Sequence, residues 1–449
     1  MRTDVFPSLN TLQDVHDKLL IPFTYALNDI EINGFNVDMG MWQTMETSYL
    51  SKLEFLKDRI RAYPEVKQLE TRLGKEFNIN SNQQVKELFF TEMGLDTEGL
   101  PKTKKGDKTS TGNASKVLLK GAHDIIAIML EYDKYATMYK MFIKPLPGHV
   151  MSDGRVHSSY LIHGTVTGRL ASTQPNMQQV PRKIKDDAVD FEFDPKLNIK
   201  NLFIPTNKDY VLLQSDYSQL ELRILAEYSQ DPLMLETFLS GGDIHLATAR
   251  ELSGDPNLDK GSAWRDNAKT VNFGIVYGKT PETLARDLGI TLAEANKFMA
   301  MYFSKMPRVK ECIEYMQDFV VEHKYVSTMF GRIRHLKIID TPDKWVKYKT
   351  LRQAVNSPIQ GTATDYNGCS SIEINNIFKQ YKMKSKIVGL VHDNILFDVF
   401  KKELKAVVEI VKTIMPNPQN KLIYWDSQVP LEVDVEVGDK WSEVAKYQA

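Results

Sequence analysis

Hydrophobic residues recur every three to four positions over most of the chain, which is the spacing of one face of an α-helix. This spacing predicts helices over residues 22–32, 41–61, 81–93, 114–141, 219–228, 345–380 and 404–414, with another helix opening at residue 243. It also predicts a run of helices over residues 281–324, interrupted at Gly289 and Pro307. Alternation of apolar and polar residues predicts strands over residues 155–163, 210–217 and 431–437, and hairpins over residues 325–334 and 387–399. The pattern therefore predicts an α+β protein.

Two local signals mark element ends. Asn33-Gly34 predicts a turn after the first helix, because this dipeptide favours left-handed backbone. Pro358 lies inside the predicted helix over residues 345–380. Proline lacks an N–H and clashes with the preceding helical turn, so we expect it to bend that helix or to begin a new segment.

One further helical stretch, residues 265–278, does not have the pattern of a core helix. Arg265, Lys269, Phe273 and Tyr277 recur every four residues and would form one stripe along a helix. Arginine and lysine suit a polyphosphate, and a flat ring one turn further on suits a base or a sugar. The alternative is an amphipathic surface helix whose basic face is simply solvated.

Two aspartates, Asp216 and Asp393, each stand where an apolar strand meets a turn. A carboxylate at the end of a buried strand is costly unless it is paired or bound to metal. If the two strands are neighbours, the two carboxylates converge and can hold two Mg²⁺ ions for phosphoryl transfer. The alternative is that each aspartate is an ordinary turn residue, which is the simpler explanation for either one alone.

Two polar stretches have the composition of nucleic-acid contacts. Residues 167–183 have neither helical nor strand period and are rich in Asn, Gln and Arg, which hydrogen-bond bases and phosphates. Residues 102–120 contain six lysines, including Lys104 and Lys105, against one aspartate. Such a loop could grip a phosphate backbone. An ordinary surface loop and a solvated charge run are the alternatives.

Composition narrows the class of protein. A chain of 449 residues is long for one core, so two or three lobes are expected. The net charge of −1 gives no global sign of a polyanion partner, and any nucleic-acid surface must be a local basic patch. Cys312 and Cys369 lack metal-ligand spacing and predict reduced packing residues. No apolar run reaches membrane-spanning length, so a soluble cytoplasmic protein without a membrane partner is expected.

Taken together, these segments resemble the polymerase module of family A DNA polymerases, the bacterial DNA polymerase I type, in a form that suits a phage-encoded enzyme. Residues 216–223 resemble the family's motif A, residues 265–278 its motif B, and residues 391–393 most of its motif C. Residues 167–178 are similar to its primer-template segment. Arg352, Asn356 and Gln360 match the helix that follows the fingers. The resemblance covers nearly the whole chain.

The resemblance implies a right-hand fold with an antiparallel-sheet palm, helical fingers and a helical thumb. Residues 1–150 would form the N-terminal segment and thumb, residues 151–230 the first part of the palm, residues 231–340 the fingers and residues 341–449 the second part of the palm. The reaction implied is template-directed addition of dNTPs to a primer 3′ hydroxyl. Primer-template DNA and dNTPs would be the partners of a monomeric enzyme.

The resemblance also implies roles for individual residues. Asp216 and Asp393, with the backbone carbonyl of Tyr217, would hold two Mg²⁺ ions, which Mn²⁺ could replace. Arg265 and Lys269 would hold the triphosphate for catalysis. The remaining nucleotide contacts would be Tyr217, Gln219, Glu221, His245, Phe273 and Tyr277, among which Glu221 would exclude ribonucleotides. Contacts to DNA would come from Arg169, Asn176, Gln178, Arg352, Asn356, Gln360, His392, Lys104 and Lys105.

Two departures from the family pattern leave rival functions open. Motif C usually carries Glu where this chain has Asn394, an amide without charge, so altered or reduced activity is expected. There is also no room for a proofreading exonuclease domain, which a separate exonuclease or replisome protein would have to supply. One rival is a single-subunit RNA polymerase, against which Glu221 argues. The other is a catalytically weak DNA-binding subunit, which the uncharged Asn394 suggests.

Overall fold

Helices make up most of the fold, which a computed structural model describes for residues 10–102, 109–181, 194–417 and 427–448. The first group consists of α1 (Leu12–Asp14), α2 (Ile21–Asn33), α3 (Met39–Arg61), α4 (Pro64–Leu73), α5 (Asn82–Glu87), α6 (Asn113–Leu118) and α7 (Asp124–Met138). The second group consists of α8 (Leu220–Ser229), α9 (Pro232–Leu239), α10 (Ile244–Ser253), α11 (Ala263–Val276), α12 (Pro281–Leu288), α13 (Leu292–Lys305), α14 (Pro307–His323), α15 (Lys344–Gln380) and α16 (Leu404–Ile414). No helix of the described residues is long and apolar enough to cross a membrane.

The strands are short except at the centre of the molecule. They are β1 (Phe35–Asn36), β2 (Arg155–Val156), β3 (Ser159–Leu161), β4 (Ala171–Thr173), β5 (Tyr210–Tyr217), β6 (Tyr325–Ser327), β7 (Ile333–His335), β8 (Lys386–Val391), β9 (Asn394–Phe400), β10 (Val433–Gly438) and β11 (Ala445–Lys446). Five of them form an antiparallel sheet in the order β11-β10-β5-β9-β8. The prediction of an α+β fold is confirmed.

The central sheet separates two hydrophobic cores, because successive residues of β5 point to opposite faces. Leu213 and Tyr217 join the larger core, which includes residues of α8, α14 and α15. Leu212 joins the second core with Phe35, Trp441 and residues of α3 and α7. Both faces of β5 are therefore covered, and its apolar sequence follows from that position. The domain boundaries after residues 150, 230 and 340 stay predictions.

Tertiary packing overrides one local signal in the sequence. α15 continues through Pro358, so the expectation that a new segment begins there is wrong. Pro358 and Ile359 are buried, and a Cβ on Gly361 would lie 2.5 Å from Thr328 Cγ2. Such dense packing offsets the cost of a proline inside a helix, which is about 3 kcal/mol.

Two other predicted elements are divided in the structure. The helix predicted over residues 114–141 becomes α6 and α7, with His123 between them accepting a hydrogen bond from the Ile125 N–H at 3.2 Å. The strand predicted over residues 155–163 becomes β2, which pairs with β1, and β3, which pairs with β4. The turn predicted at Asn33-Gly34 is present, because α2 ends at Asn33 and Gly34 has φ +58°.

Candidate active site at the central sheet

A row of three polar side chains crosses the middle of the central sheet. Asp216 on β5 lies directly opposite Asn394 on β9 and directly opposite Asp434 on β10. Residues paired in this way share one face of the sheet. Asp393 immediately precedes Asn394 in the β8–β9 turn. Strand β5, which carries Asp216, is therefore the neighbour of β9, which Asp393 immediately precedes. Neighbouring strands were the condition for convergence of the two carboxylates.

The same row opens onto a cavity of about 380 Å³, lined by Asp216, Asn394, Asp434 and Trp441 among others. Asn394 is only 5% exposed, and its Oδ1 meets no hydrogen-bond donor within the described ranges. A buried carbonyl oxygen without a partner is costly. Asp434 is paired with Lys446 at 2.9 Å. The Asn394 oxygen is therefore available to a bound group that the protein itself does not provide.

The donors at this edge of the sheet are all oxygen atoms. Asp216 and Asp393 contribute carboxylates, and Asn394 contributes an amide oxygen. Among the described residues, no three His, Cys, Asp or Glu side chains are grouped closely enough to enclose a metal ion. Mg²⁺ favours one or two carboxylates and keeps water and substrate phosphates as its other ligands. This donor set fits such an ion better than a closed structural metal site.

Helix α11 presents the predicted cationic and aromatic stripe. It begins after Ser262, whose Oγ accepts the Trp264 N–H at 3.2 Å, and it buries Ala268, Val271 and Ile275. The opposite side carries the stripe, in which Lys269 is exposed and the other members are half-buried. The Phe273 and Tyr277 rings are stacked, with centroids 6.3 Å apart. The stripe is thus an open face of a well-anchored helix.

Arg265 is held by an aspartate that the sequence analysis did not assign. Its Nε and Nη2 donate to Asp243 Oδ2 at 2.9 and 2.7 Å. The other oxygen, Asp243 Oδ1, caps α10 by accepting the His245 and Leu246 N–H groups at 3.0 and 3.1 Å. Although burial opposes it, the Arg265 hydrogen bonds hold the pKa of Asp243 below its usual value. One carboxylate therefore positions both Arg265 and the first turn of α10.

His245 lies against the stripe on its α10 side. Its ring centroid is 5.5 Å from that of Phe273, and its Nδ1 is 3.1 Å from the Asn272 amide nitrogen. Burial lowers the pKa of His245 to about 4, and the positive charges of Arg265 and Lys269 act in the same direction. The imidazole is consequently neutral at physiological pH.

A charged cluster connects the stripe to the carboxylate turn. Arg169 forms an ion pair with Glu221, which is 5% exposed on the first turn of α8, and the Tyr277 hydroxyl interacts with both. Although burial opposes it, the negative charges of Glu221 and Asp393 raise the pKa of Arg169. Burial raises the pKa of Glu221 despite the Arg169 charge. Arg169, Glu221 and Tyr277, from three distant segments, therefore meet in one place, and the charge of Asp393 acts on both Arg169 and Glu221.

The α15 residues predicted to contact DNA lie beside the end of α11. Asn356 Nδ2 donates to the Tyr277 carbonyl at 3.2 Å, and Arg352 packs on Gly278. Gln360 follows one turn later and is 9% exposed. Three polar atoms in this region are buried without a hydrogen-bond partner in the part of the chain that the structure describes, namely Gln219 Oε1, Arg352 Nε and Asn356 Oδ1. Such atoms are typical of a site that a polar ligand completes.

Other predicted residues are placed less directly. His392 is exposed in the β8–β9 turn, and Gln178 Nε2 donates to the Leu390 carbonyl at 3.3 Å. The Asn176 side chain is occupied in its own turn, where Oδ1 accepts the Gln178 N–H at 3.1 Å. The Tyr217 ring is buried with its hydroxyl 2.7 Å from Ser370 Oγ, so only its backbone remains for a metal or nucleotide. Lys104 and Lys105 lie outside the described residues.

Sequence reasoning missed Asp243, Asn272 and Asp434. Asp243 and Asn272 stood inside segments that had been singled out, yet nothing in their spacing shows that their side chains turn toward Arg265 and His245. Asp434 lies on a strand whose partner is more than two hundred positions away in the chain. Only the register of β10 against β5 places it beside Asp216.

An antiparallel sheet that carries carboxylates, combined with a helical region that carries a cationic stripe, is the arrangement found in the right-hand class of nucleotide-polymerising folds. The family model for DNA polymerase family A matches residues 51–443. The chain belongs to that family.

Individual relatives agree with this assignment. The chain is 34% identical over 440 residues to DNA polymerase I of Caldicellulosiruptor bescii, covering 97% of this chain and 48% of that protein. It is 32% identical over 472 residues to a DNA polymerase of Bacillus phage SP01, covering 95% and 50%. It thus spans about half the length of these curated relatives. A solved structure, the POL domain of Pol1 from M. smegmatis in complex with DNA primer-template and dNTP, aligns with a TM-score of 0.83 and 28% identity over 96% of this chain and 71% of that one. The right-hand fold is confirmed.

Proposed function

We propose that this chain is a template-directed DNA polymerase that adds dNTPs to a primer 3′ hydroxyl by two-metal-ion phosphoryl transfer. The observation that carries the proposal is the cluster of Arg169, Glu221 and Tyr277, on which the charge of Asp393 acts. It brings the carboxylate turn and the cationic stripe of α11 to the two sides of one site. Phosphoryl transfer requires this combination of negative metal ligands and positive phosphate ligands.

The α11 residues proposed to bind the nucleotide differ in the part of it that each would contact. Arg265 offers a planar guanidinium and Lys269 a compact ammonium, which together neutralise and orient the triphosphate. Phe273 and Tyr277 offer flat rings for the sugar and base. The binding energy of these contacts positions the α-phosphate for in-line attack by the primer hydroxyl, with pyrophosphate as the leaving group.

Asp216 and Asp393, with Asn394 and the Tyr217 carbonyl nearby, would hold the two Mg²⁺ ions. Bound Mg²⁺ would supply activation of the primer hydroxyl and charge stabilisation on the reacting phosphate. Mn²⁺, which also prefers oxygen ligands, would substitute. Around the ions, Arg169 balances the negative charge of Glu221 and Asp393 so that these acids can stand close together.

Primer-template DNA and dNTPs are the proposed partners, and the printed title of the M. smegmatis structure supports both. Arg352, Asn356 and Gln360 would line the site from α15, and Arg169 would line it from the side of the Asp393 turn. They would contact the newest base pair. The enzyme is proposed to act as a monomer.

Primer extension on a DNA template with Mg²⁺ tests the proposal. The chain should extend the primer with dNTPs and not with NTPs. Asp216→Ala should lower the rate of extension at least about a thousandfold. Asp255→Ala, at an exposed turn aspartate, is the matched control and should be silent. Preference for NTPs would favour an RNA polymerase. Salt-sensitive binding of primer-template without extension would favour the alternative function, a catalytically weak DNA-binding subunit with Asn394 in place of an acid.

Dependence on a separate proofreading protein stays a prediction. Incubation of a mismatched primer-template with the chain and Mg²⁺, without dNTPs, checks it. The expected result is an intact primer, and shortening from the 3′ end would contradict it.

A further inference from the structure

A buried polar cluster lies directly behind the nucleotide face of α11. It contains Asn272 of α11 with His245 and Thr248 of α10, and Asn272 and Thr248 are both 0% exposed. The Asn272 Nδ2 group donates to His245 Nδ1 and to Thr248 Oγ1, each at 3.1 Å. Thr248 Oγ1 lies 3.3 Å from Asn272 Oδ1 and can donate to it. Asp243, whose charge acts on His245 from the start of α10, is held by Arg265, and the three side chains of the cluster are themselves neutral.

Within this cluster, the Asn272 amide determines which ring nitrogen of His245 carries the proton. A neutral imidazole has one N–H, and the partner of the other nitrogen decides where that proton resides. Because an amide N–H points at Nδ1, Nδ1 must be the acceptor and Nε2 must carry the hydrogen. In the reverse amide orientation the Asn272 oxygen would face Nδ1, so Nδ1 would carry the proton and Nε2 a lone pair. That lone pair would face the site where Arg265 and Lys269 attract phosphate. The Nε2 lone pair and a phosphate oxygen, both acceptors, would then oppose each other.

We infer that Asn272 is a positioning residue that holds His245 as the neutral Nε2–H tautomer, so that the ring donates one directed hydrogen bond to a phosphate oxygen of the incoming nucleotide. This inference rests on the proposed function for the identity of the ligand. Asn272 itself touches no substrate. It acts through His245, which adds a donor to the site without adding a third positive charge beside Arg265 and Lys269.

Histidine ¹⁵N NMR on the full chain without nucleotide tests the tautomer. The chain has nine histidines, and the His245 signals are those that disappear in His245→Gln. The expected pattern is an unprotonated Nδ1 and a protonated Nε2. In Asn272→Asp the carboxylate can only accept, so Nδ1 should become protonated. Thr248→Val keeps the donor to Nδ1 and is the matched control, which should leave the wild-type pattern.

Three results would overturn the inference. They are a protonated Nδ1 in the wild-type chain, an unchanged Nδ1 in Asn272→Asp, or the same change in Thr248→Val as in Asn272→Asp. Thermal unfolding of each variant establishes that the chain is folded, and the nearly isosteric Asn272→Asp is chosen for that reason.

Kinetics provide the second readout. At mildly alkaline pH, where the imidazole beside the introduced carboxylate is neutral, Asn272→Asp should raise the KM for dNTP about tenfold, with a smaller change in kcat. Thr248→Val should leave KM within about twofold. A tautomer switch without a change in KM would overturn the inferred donor role. Failure of the wild-type chain to extend a primer, with the predicted tautomers present, would count against the proposed function and leave the assignment of Asn272 standing.

Discussion

Asp216 and Asn394 face each other across adjacent strands of the central sheet, so an uncharged amide is a direct cross-strand neighbour of a proposed metal ligand. On its other side Asp216 faces Asp434, whose charge is balanced by Lys446 at 2.9 Å. Directly opposite like charges destabilise a sheet. An amide at residue 394 therefore limits repulsion at Asp216, and it also reduces the negative charge available to a cation.

Restoring an acid at this position should alter metal dependence. Asn394→Asp adds a carboxylate beside Asp216, and we expect the Mg²⁺ concentration for half-maximal primer extension to fall severalfold. Without divalent metal the variant should be less stable by about 1–3 kcal/mol, because a buried like charge is uncompensated. Metal titrations of extension and thermal melts with and without Mg²⁺ measure both effects. Asn394→Ser, which adds no charge, is the control. Identical Mg²⁺ dependence in all three proteins would contradict a cation site at this row.

Selection against ribonucleotides should depend on the volume of Glu221. Because this residue is only 5% exposed and lies against Arg169 and Tyr277, its position is fixed, as a steric barrier requires. Glu221→Ala should increase NTP incorporation relative to dNTP by at least about tenfold, and Glu221→Gln, which keeps the volume, should not. Single-nucleotide incorporation with matched dNTP and NTP pairs measures the ratio. If Gln proves as permissive as Ala, charge rather than volume excludes the 2′ hydroxyl.

The sequence predicted the element types, and it singled out candidate site residues, because both predictions depend on local signals. The strand ends at Asp216 and Asp393 and the four-residue spacing of the α11 stripe can be read from neighbouring positions. By contrast, the Arg265–Asp243 pair and the Asp216–Asp434 register join segments through tertiary packing. Pro358 shows the same limit, since a strong local helix breaker is outweighed by the burial of α15.

Gly278 should tolerate a side chain poorly for two separable reasons. Its φ of +62° is strained for other residues, and a Cβ would lie 3.1 Å from Arg352 Cγ. Gly254→Ala is a matched control, because Gly254 has φ +75° and nothing within 4 Å of an added Cβ. Both substitutions should cost about 1–2 kcal/mol of stability through the backbone. Only Gly278→Ala should also reduce primer extension, because Arg352 must move. Equal activity losses in the two variants would show that the Arg352 contact is unimportant.

The buried imidazole of His245 should make stability fall at acid pH. Its folded-state pKa is about 4, below the value of 6.5 for an unperturbed histidine, because burial and the charges of Arg265 and Lys269 disfavour the protonated form. The unfolded chain therefore binds a proton more readily. This contribution to stability is complete above about pH 6.5 and is lost as the pH falls from there towards 4. At pH 5 the loss should be about 2 kcal/mol relative to pH 7.

Urea unfolding of the wild type and of His245→Gln at pH 7 and pH 5 measures the contribution of His245 to the pH dependence of stability. The difference in unfolding free energy between the two pH values should be smaller in the variant by about 2 kcal/mol, since glutamine does not titrate. Gly254→Ala is the control, because it lowers stability through the backbone without removing a titratable group. Its pH dependence should match that of the wild type. An equally steep acid loss in His245→Gln would mean that the ring titrates normally in the folded protein, and the neutral donor assigned to it would have to be abandoned.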